Sequence, residues 1–303
     1  MDAREQRWEF AVAPPRSAPG VGSMVGYRAL DVPDAVHRGL PSSRLTFIVS
    51  LDDGVEGAAT AAALAATGPI PVILGGLHVR TSHVRLRRGQ AGVQLAVHPL
   101  AARALFGVPA AELSVTDFDA AAVLGRPAVD LRDRLAEAPG WRERFALVTG
   151  HLVAARGRRR DPSVRPEVAY AWHELERSRG CLPVGALADR VGLTARHLGT
   201  LFRREVGRGP KTVARLIRFE HAVAAIADSV RRSGGVDLAG VAAATGHYDQ
   251  AHLTREFVSF AGVPPRAWLA EEFRSIQDGG HAGWSDWADD EREPDRVVDA
   301  PGA

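Results

Sequence analysis

Three histidines of the N-terminal half, His78, His83 and His98, are the residues whose chemistry would be metal binding. Histidine zinc sites use short, regular ligand spacings, and no His-x-His or His-x3-His pair occurs here. The glycine pair Gly75–Gly76 is followed by no lysine, which argues against a phosphate-binding loop. The sequence shows no pattern that would pair a nucleophilic side chain with a catalytic base. We therefore expect no catalytic residue, no metal, no cofactor and no enzymatic activity.

The composition is that of a globular protein with room for two domains. The chain has 303 residues, of which 46% are hydrophobic and 24% are charged. No apolar run approaches the roughly 20 residues that cross a bilayer, and the N-terminus lacks the apolar segment of a signal peptide. The single cysteine, Cys181, cannot form an internal disulfide and fits a reducing compartment. We expect a cytoplasmic protein that has no contact with membranes.

Charge is unevenly distributed, although the net charge is only +2. Between residues 156 and 232, 17 basic side chains stand against 8 acidic ones, whereas residues 278–299 carry 8 acidic and 2 basic ones. A basic middle segment favours a polyanionic partner such as nucleic acid. A solvated, arginine-rich surface is the alternative.

The patterns divide the chain into four segments. Residues 1–155 combine strand-like runs (44–54, 71–79, 92–100) with helical ones (100–107, 141–155), and residues 1–40 are expected to be partly irregular. Residues 156–165 are a charged linker, and residues 166–275 are helical throughout. Residues 276–303 are acidic, rich in glycine and predicted to be disordered.

A repeat within the helical segment indicates a duplicated unit. The stretches LFRREVGRGPK (201–211) and EFVSFAGVPPR (256–266) align at an offset of 55 residues, whereas upstream residues align at 54, so the second copy has one extra residue in its turn. In the first copy Ala188 permits a close helix crossing, Gly192 permits positive φ and Thr194 is a predicted N-cap. These features predict a helix-turn-helix unit.

The second copy repeats this pattern in GHYDQAHLTREF (246–257). Gly246 supplies the turn and Asp249 the N-cap, and Tyr248 is expected to pack under the turn as a core residue. Leu253 and Phe257 face inward. The other side of this helix therefore presents polar side chains to solvent, namely Gln250, His252 and Arg255.

The duplicated unit resembles the DNA-binding domain of the AraC/XylS family of bacterial transcription regulators. That family has Gly-aromatic-x-Asp, then x-Arg-x-Phe and Gly-x-x-Pro in its second unit, and residues 246–268 match except that His247 stands at the aromatic position. The first unit and its linking helix, TARHLGTLFRREVGRGPKTVARLIRFEHAV (194–223), match as well, including Arg218 and Ala222. The resemblance implies two helix-turn-helix units joined by a helix over 210–228, with recognition helices about 34 Å apart in successive major grooves.

The resemblance also implies which side chains meet double-stranded promoter DNA. The outward positions of the two recognition helices are Arg196, Gly199, Thr200 and Arg203 in the first, and Gln250, Ala251, His252 and Arg255 in the second. Arginine reads guanine and glutamine reads adenine. Phosphate contacts are expected from Arg204, Arg208, Lys211 and Arg266. Arg255 has an alternative role in an ion pair with Glu256 or Asp249.

In this family the additional domain senses a small molecule, forms dimers or does both. The predicted fold is thus an α+β N-terminal domain, β-rich and cupin-like by analogy, with trailing helices, followed by an all-α domain with two helix-turn-helix units. RNA polymerase, a second copy of the chain and an effector of unknown identity are the further partners that the resemblance allows. Two alternatives stay open: a cupin-like metal enzyme, and a constitutive regulator whose N-terminal domain only dimerises.

Overall fold

The computed structural model describes residues 7–15, 17–32, 34–158 and 164–277. The predicted disordered tail lies almost wholly outside the described residues, and so does the middle of the predicted linker, residues 159–163. A β-rich N-terminal domain precedes a helical C-terminal domain, as the sequence predicts.

The described part of the N-terminal domain contains two antiparallel sheets. Its strands are β1 (Arg7–Val12), β2 (Val21–Asp31), β3 (Ala35–Gly39), β4 (Leu45–Ser50), β5 (Gly57–Ala58), β6 (Val72–Gly75), β7 (Ser82–Leu86) and β8 (Ala91–Val97). The larger sheet has the order β1-β2-β8-β4-β6 and the smaller one β3-β7-β5.

Strands β4, β6 and β8 confirm three predicted strands, whereas β1, β2 and β3 lie in the region expected to be partly irregular. The reason is pairing over long sequence distances: β2 lies between β1 and β8 and receives hydrogen bonds from both. The glycines of β2 interrupt its apolar pattern, so the sequence resembles that of a loop. Gly26 is required because an added Cβ would lie 2.3 Å from the ring of Trp141.

The N-terminal domain also contains α-helices, which pack against the two sheets or against one another. They are α1 (Ala61–Leu64), α2 (Ala102–Phe106), α3 (Ala121–Leu124), α4 (Arg126–Glu137) and α5 (Trp141–Gly157). Helices α2 and α5 confirm the two predicted ones, and α2 ends at Gly107 with φ of 87°. The inner face of α5 buries Phe145, Val148 and Leu152, as their spacing predicts.

The C-terminal domain is all-helical in its described part. Its helices are α6 (Pro166–Arg177), α7 (Val184–Arg190), α8 (Ala195–Val206), α9 (Pro210–Ser233), α10 (Leu238–Ala244), α11 (Gln250–Ala261) and α12 (Pro265–Gln277). The linking helix α9 runs five residues beyond its predicted end at 228, because Val230 continues the buried stripe of Ile226. It ends at Gly234, whose φ is 71°.

Two hydrophobic cores support the helical domain. In the first half, Trp172 stacks on Phe202 with ring centroids 6.2 Å apart, and this core is continuous with that of the N-terminal sheet. In the second half, Phe257 packs between Phe219 and Trp268, with centroids 5.1 and 5.7 Å away. The N-terminal domain therefore shares a core with the first helix-turn-helix unit, and it adds Leu40 to the separate core of the second unit.

Polar contacts join the N-terminal domain to both halves of the helical domain. On the first half, Arg103 binds Glu205 at 2.8 Å, and Arg44 binds Glu176 at 2.8 Å. On the second half, the partners are carboxylates of α12. Arg38 binds Glu271 at 3.0 Å, and His37 Nδ1 lies 2.8 Å from Glu272 Oε1.

The N-terminal domain also contacts the linking helix α9. The buried carboxylate of Glu220 accepts hydrogen bonds from the hydroxyls of Ser42 and Ser43 in the loop before β4. The N-terminal domain thus contacts each half of the helical domain and the helix between them.

The pair of His37 and Glu272 predicts a pH-dependent domain contact. Burial alone would lower the pKa of His37, but the charge and hydrogen bond of the Glu272 carboxylate raise this pKa above its ordinary value of 6.5. A raised folded-state pKa contributes stability below pH 6.5, and this stability is lost as pH rises through the folded-state pKa. We expect His37→Gln to lower the free energy of unfolding by about 1 kcal/mol at pH 6 and by less at pH 8.

Urea unfolding at the two pH values measures this difference. His173→Gln, on helix α6, is the control for removal of an exposed histidine that lies outside this domain contact. An equal loss for His37→Gln at pH 6 and pH 8 contradicts the prediction.

Candidate DNA-binding surface

The first helix-turn-helix unit consists of α7 and α8. Gly192 in the turn has φ of 66°, and the hydroxyl of Thr194 caps α8 by accepting a hydrogen bond from the N–H of His197 at 3.2 Å. Ala188 is buried at the crossing, and its carbonyl oxygen accepts from the N–H of Leu193. The predicted roles of Ala188, Gly192 and Thr194 are confirmed.

The second unit, α10 and α11, repeats this geometry. Gly246 has φ of 71°, and the Asp249 carboxylate caps α11 by accepting from the N–H of His252 at 2.6 Å. The carbonyl oxygen of Ala242 accepts from the N–H of His247, at the same offset of 54 residues from the equivalent bond in the first unit. The sequence repeat is thus a structural repeat.

The prediction that Tyr248 is a core residue is wrong. Its side chain points to solvent, and the residue is 93% exposed. The buried position belongs to His247, which is equivalent to Leu193 of the first unit, because Tyr248 is the extra residue between the turn and the N-cap. The Thr245 hydroxyl donates to the Val241 carbonyl oxygen, and its oxygen accepts from His247 Nδ1–H at 2.9 Å.

Most of the predicted DNA-binding side chains lie on the solvent-exposed surface. Exposed positions are Arg196, Thr200, Arg203 and Arg204 on α8, Lys211 on α9, Gln250 and Arg255 on α11, and Arg266 on α12. The hydroxyl of Thr200 donates to the carbonyl oxygen of Arg196 at 3.1 Å, which leaves its oxygen free to accept. Both recognition helices therefore present polar faces that the N-terminal domain does not cover.

Two predicted residues have partners within the chain. His252 is half-buried, and its Nδ1 accepts from the backbone N–H of Tyr248 at 3.2 Å. Arg208 donates from Nε to the carbonyl oxygen of Leu77 in the N-terminal domain, 2.8 Å away. In this conformation Arg208 joins the two domains, and a phosphate contact would require it to leave Leu77.

The alternative role of Arg255 in an ion pair is not seen among the described residues. The Asp249 carboxylate caps its own helix, and that of Glu256 faces the linking helix. Arg255 thus remains exposed beside Gln250 on the outer face of α11.

Glu256 is the centre of an ion-pair network that sequence reasoning missed. Its side chain is 5% exposed and accepts from Arg215 Nε at 3.1 Å and from Arg218 at 3.4 Å, while His247 Nε2 lies 3.6 Å away. Arg218 also donates to the carbonyl oxygen of Gly180, 2.9 Å away in the loop before α7. The network therefore connects the second recognition helix, the linking helix and the first unit.

The position of Glu256 within α11 could have predicted this network. It lies three residues after Leu253 and beside Phe257, on the inner face, where an acidic side chain requires a partner. Burial alone would raise the pKa of Glu256, but His247, Arg218 and Arg215 hold this pKa at about 2. The carboxylate is charged at neutral pH.

The expectation that Gly199 faces outward on the first recognition helix is wrong, because the structure buries it beside the Arg203 side chain. The position nevertheless has no steric need for glycine. An added Cβ would meet only the Arg203 guanidinium, at 3.5 Å, which is ordinary van der Waals contact. We expect Gly199→Ala to raise the free energy of unfolding by up to about 1 kcal/mol, because alanine loses less backbone freedom in a helix.

Thermal unfolding measures this change, with Gly150→Ala in helix α5, where an added Cβ meets no atom within 4 Å, as a second helical glycine for comparison. Gly199→Ala should then also be titrated with DNA. If Gly199→Ala is more stable but binds DNA less tightly, this glycine permits a close approach of the helix backbone to the DNA. A lower free energy of unfolding in Gly199→Ala would contradict the conclusion that this position has room for a Cβ.

The three histidines of the N-terminal half do not come together. His78 Nδ1 lies 3.3 Å from the carbonyl oxygen of Gly76, His98 faces Glu176 at 3.5 Å across the domain interface, and His83 lies on β7. No group of three or more potential metal ligands occurs among the described residues.

Two helix-turn-helix units on one linking helix, with both polar recognition faces exposed, define the C-terminal domain as a DNA-binding domain of the kind found in transcription regulators. Residues 187–271 match the family model described as "Helix-turn-helix domain". This match confirms the AraC-type resemblance for the C-terminal domain.

Solved structures of ToxT from Vibrio cholerae resemble the whole chain weakly. ToxT from strain O395 aligns with a TM-score of 0.47 at 12% identity, covering 90% of this chain and 98% of ToxT. Wild-type ToxT with bound unsaturated fatty acid, from strain SCE256, aligns with a TM-score of 0.42 at 11% identity, covering 88% and 97%. No curated protein matches the chain. No helix within the described residues is long and apolar enough to cross a membrane.

Proposed function

We propose that this chain is a sequence-specific transcription regulator that binds two successive major grooves of promoter DNA. The observation that carries the proposal is the duplicated unit, in which α8 and α11 have the same turn, the same type of cap and an exposed polar face. One exposed helical hairpin is common among proteins. Two equivalent ones on a single linking helix suit a duplex, whose major groove returns to the same face every helical turn.

The exposed side chains divide into two groups by their chemistry. Arg196, Gln250 and Arg255 can form paired hydrogen bonds with base edges and would confer sequence preference. Arg204, Lys211 and Arg266 flank them and would bind phosphates, which position the protein without reading sequence. The basic excess between residues 156 and 232 supports such contacts and predicts affinity that falls as salt rises.

The N-terminal domain would control DNA binding through its contacts with both units. It holds the first unit through Glu205 and Arg208 and the second through Glu271 and Glu272. A small molecule that changes this interface would change the relative position of the recognition helices. A domain that only joins two copies of the chain is the alternative, and contact with RNA polymerase would follow if the regulator activates transcription.

Genome-wide footprinting of the purified full chain on the DNA of its own organism tests the proposal. We expect protected sites with two recognition segments about one helical turn apart. Protection of a single segment would limit binding to one unit, and no specific protection would contradict the proposal. A thermal-shift screen with small metabolites, combined with measurement of the oligomeric state, distinguishes a sensor from a domain that only dimerises.

A further inference from the structure

A cavity of about 460 Å³ lies between the two helix-turn-helix units. Three elements line it: the loop 180–184 before α7, the N-terminal half of α9, and α11. Each unit thus contributes one wall, and the linking helix forms the floor between them. Nothing in the proposed reading of bases uses this space.

The walls of the cavity are fixed by close packing. Gly180 has φ of 72°, and an added Cβ there would lie 2.1 Å from the carbonyl oxygen of Ala214, so the loop rests directly on α9. The thiol of Cys181 lies against the turn of the second unit, since a Cβ on Gly246 would be 2.5 Å from its Sγ. The cavity is therefore part of the folded domain.

The lining is positively charged. Lys211, Arg215 and Arg218 stand against one carboxylate, that of Glu256. Both arginines already pair with this carboxylate, so its single negative charge is shared between two cations. A basic cavity with its only acid already paired favours an anion as its ligand.

Several hydrogen-bond donors of the lining have no acceptor among the described residues. The buried Nε–H of Arg218 has no partner among the described residues, and the exposed ammonium group of Lys211 has none among them either. Because His252 Nδ1 accepts from Tyr248 N–H, the neutral imidazole carries its proton on Nε2 and has a further N–H to donate. A buried, unsatisfied donor is costly unless a ligand meets it.

We infer that this cavity binds a phosphate group. A phosphate offers several acceptor oxygens and a negative charge opposite to that of the lining, and arginine and lysine are its usual partners. Leu182, Pro183 and Val184 add an apolar stretch to the lining.

The phosphate has two possible sources. One is the DNA backbone between the two major grooves, and this source rests on the proposed function. His252 lies on the same helix as Arg255, and Val184 begins α7, the helix that crosses the backbone in helix-turn-helix complexes. The other source is a free phosphate ester.

Cys181 provides a direct probe because it lines the cavity, is exposed and is the only cysteine of the chain. The experiment measures how fast the uncharged reagent N-ethylmaleimide labels Cys181 in the full chain. Its arms are duplex DNA, inorganic phosphate, and sodium chloride at matched ionic strength. Lys211→Gln removes one cation from the lining, and Arg142→Gln removes an exposed one from helix α5 as the matched control.

We expect duplex DNA to slow labelling severalfold, and Lys211→Gln to weaken this protection. The same variant should reduce the slope of log affinity against log salt by about one, equally for specific and random DNA, whereas Arg142→Gln changes neither. Protection by inorganic phosphate at matched ionic strength, lost in Lys211→Gln, would identify a free phosphate as a ligand.

The outcomes separate this proposal from the proposed function. If a gel shift shows DNA binding but neither probe slows labelling, the cavity is not a phosphate site while the regulator proposal stands. The same holds if DNA protects Cys181 equally in Lys211→Gln, since the duplex then only shields the thiol. If phosphate protects and no DNA binds, the anion site stands and the regulator proposal fails. If neither binds, both are overturned.

Discussion

Replacing Glu256 with alanine is expected to lower the free energy of unfolding by about 3 kcal/mol, the lower end of the cost of breaking a buried ion pair. The variant leaves the guanidinium groups of Arg215 and Arg218 without their carboxylate. Arg218 is mostly buried and has no other carboxylate partner among the described residues, whereas Arg215 can reach water, which moderates the loss. Urea unfolding followed by circular dichroism measures the change.

Two variants make this prediction specific. Glu137→Ala removes an exposed carboxylate from helix α4 and should change stability by less than about 0.5 kcal/mol. Glu256→Gln keeps the shape of the side chain and loses only its charge. Its loss in the free energy of unfolding should therefore lie between those of Glu137→Ala and Glu256→Ala. A loss in Glu256→Ala no greater than that in Glu137→Ala would show that the network contributes nothing to stability.

The pH dependence gives a second, independent measure. The pKa of Glu256 is held at about 2, below its ordinary value of 4.5, so the carboxylate stabilises the fold fully above pH 4.5. This contribution is lost as pH falls through about 2. The difference in stability between the wild-type chain and Glu256→Ala should therefore shrink as pH is lowered from 4.5. A difference that stays constant would assign the effect to packing.

The double variant Arg196→Ala, Arg255→Ala is expected to lose about 2–6 kcal/mol of specific binding, at about 1–3 kcal/mol for each arginine. The two side chains lie on different recognition helices, both exposed and without a partner among the described residues, so their effects should add. Truncation leaves the acceptors of a guanine edge unpaired. Titration of the operator found by footprinting measures the loss.

The loss should concern specific DNA. Affinity for random duplex should fall much less, because phosphate contacts dominate nonspecific binding. Arg142→Ala, on helix α5 of the N-terminal domain, removes the same charge away from the recognition helices and should leave operator affinity unchanged. Unaltered operator affinity in the double variant would remove Arg196 and Arg255 from the set of reading residues.

Local patterns predicted the helical domain well because its elements depend on neighbours in sequence. A residue with positive φ is needed in each turn, and Gly192 and Gly246 supply it. Thr194 and Asp249 cap helices whose first N–H groups lie three residues away. These interactions span a few residues, so spacing reveals them.

The N-terminal sheet was harder to predict because its hydrogen bonds join distant segments. Strand β2 is stabilised by β8, which begins 60 residues after the end of β2 at Asp31, and its glycines make room for side chains such as Trp141. The same holds for the domain interface. Nothing in the local pattern indicates that Arg208 donates to Leu77 or that Glu205 pairs with Arg103.

By itself the sequence determined the duplicated helix-turn-helix units, their turns and caps, and most of the outward positions of α8 and α11. Tertiary structure alone decided that His247 and not Tyr248 fills the turn, that Glu256 faces two arginines of the linking helix, and that a basic cavity separates the units. The physical reason is the sequence distance over which the interactions act. Helix periodicity and capping act within one or two turns of chain, whereas buried charges and cavities depend on which distant surfaces meet when the chain folds.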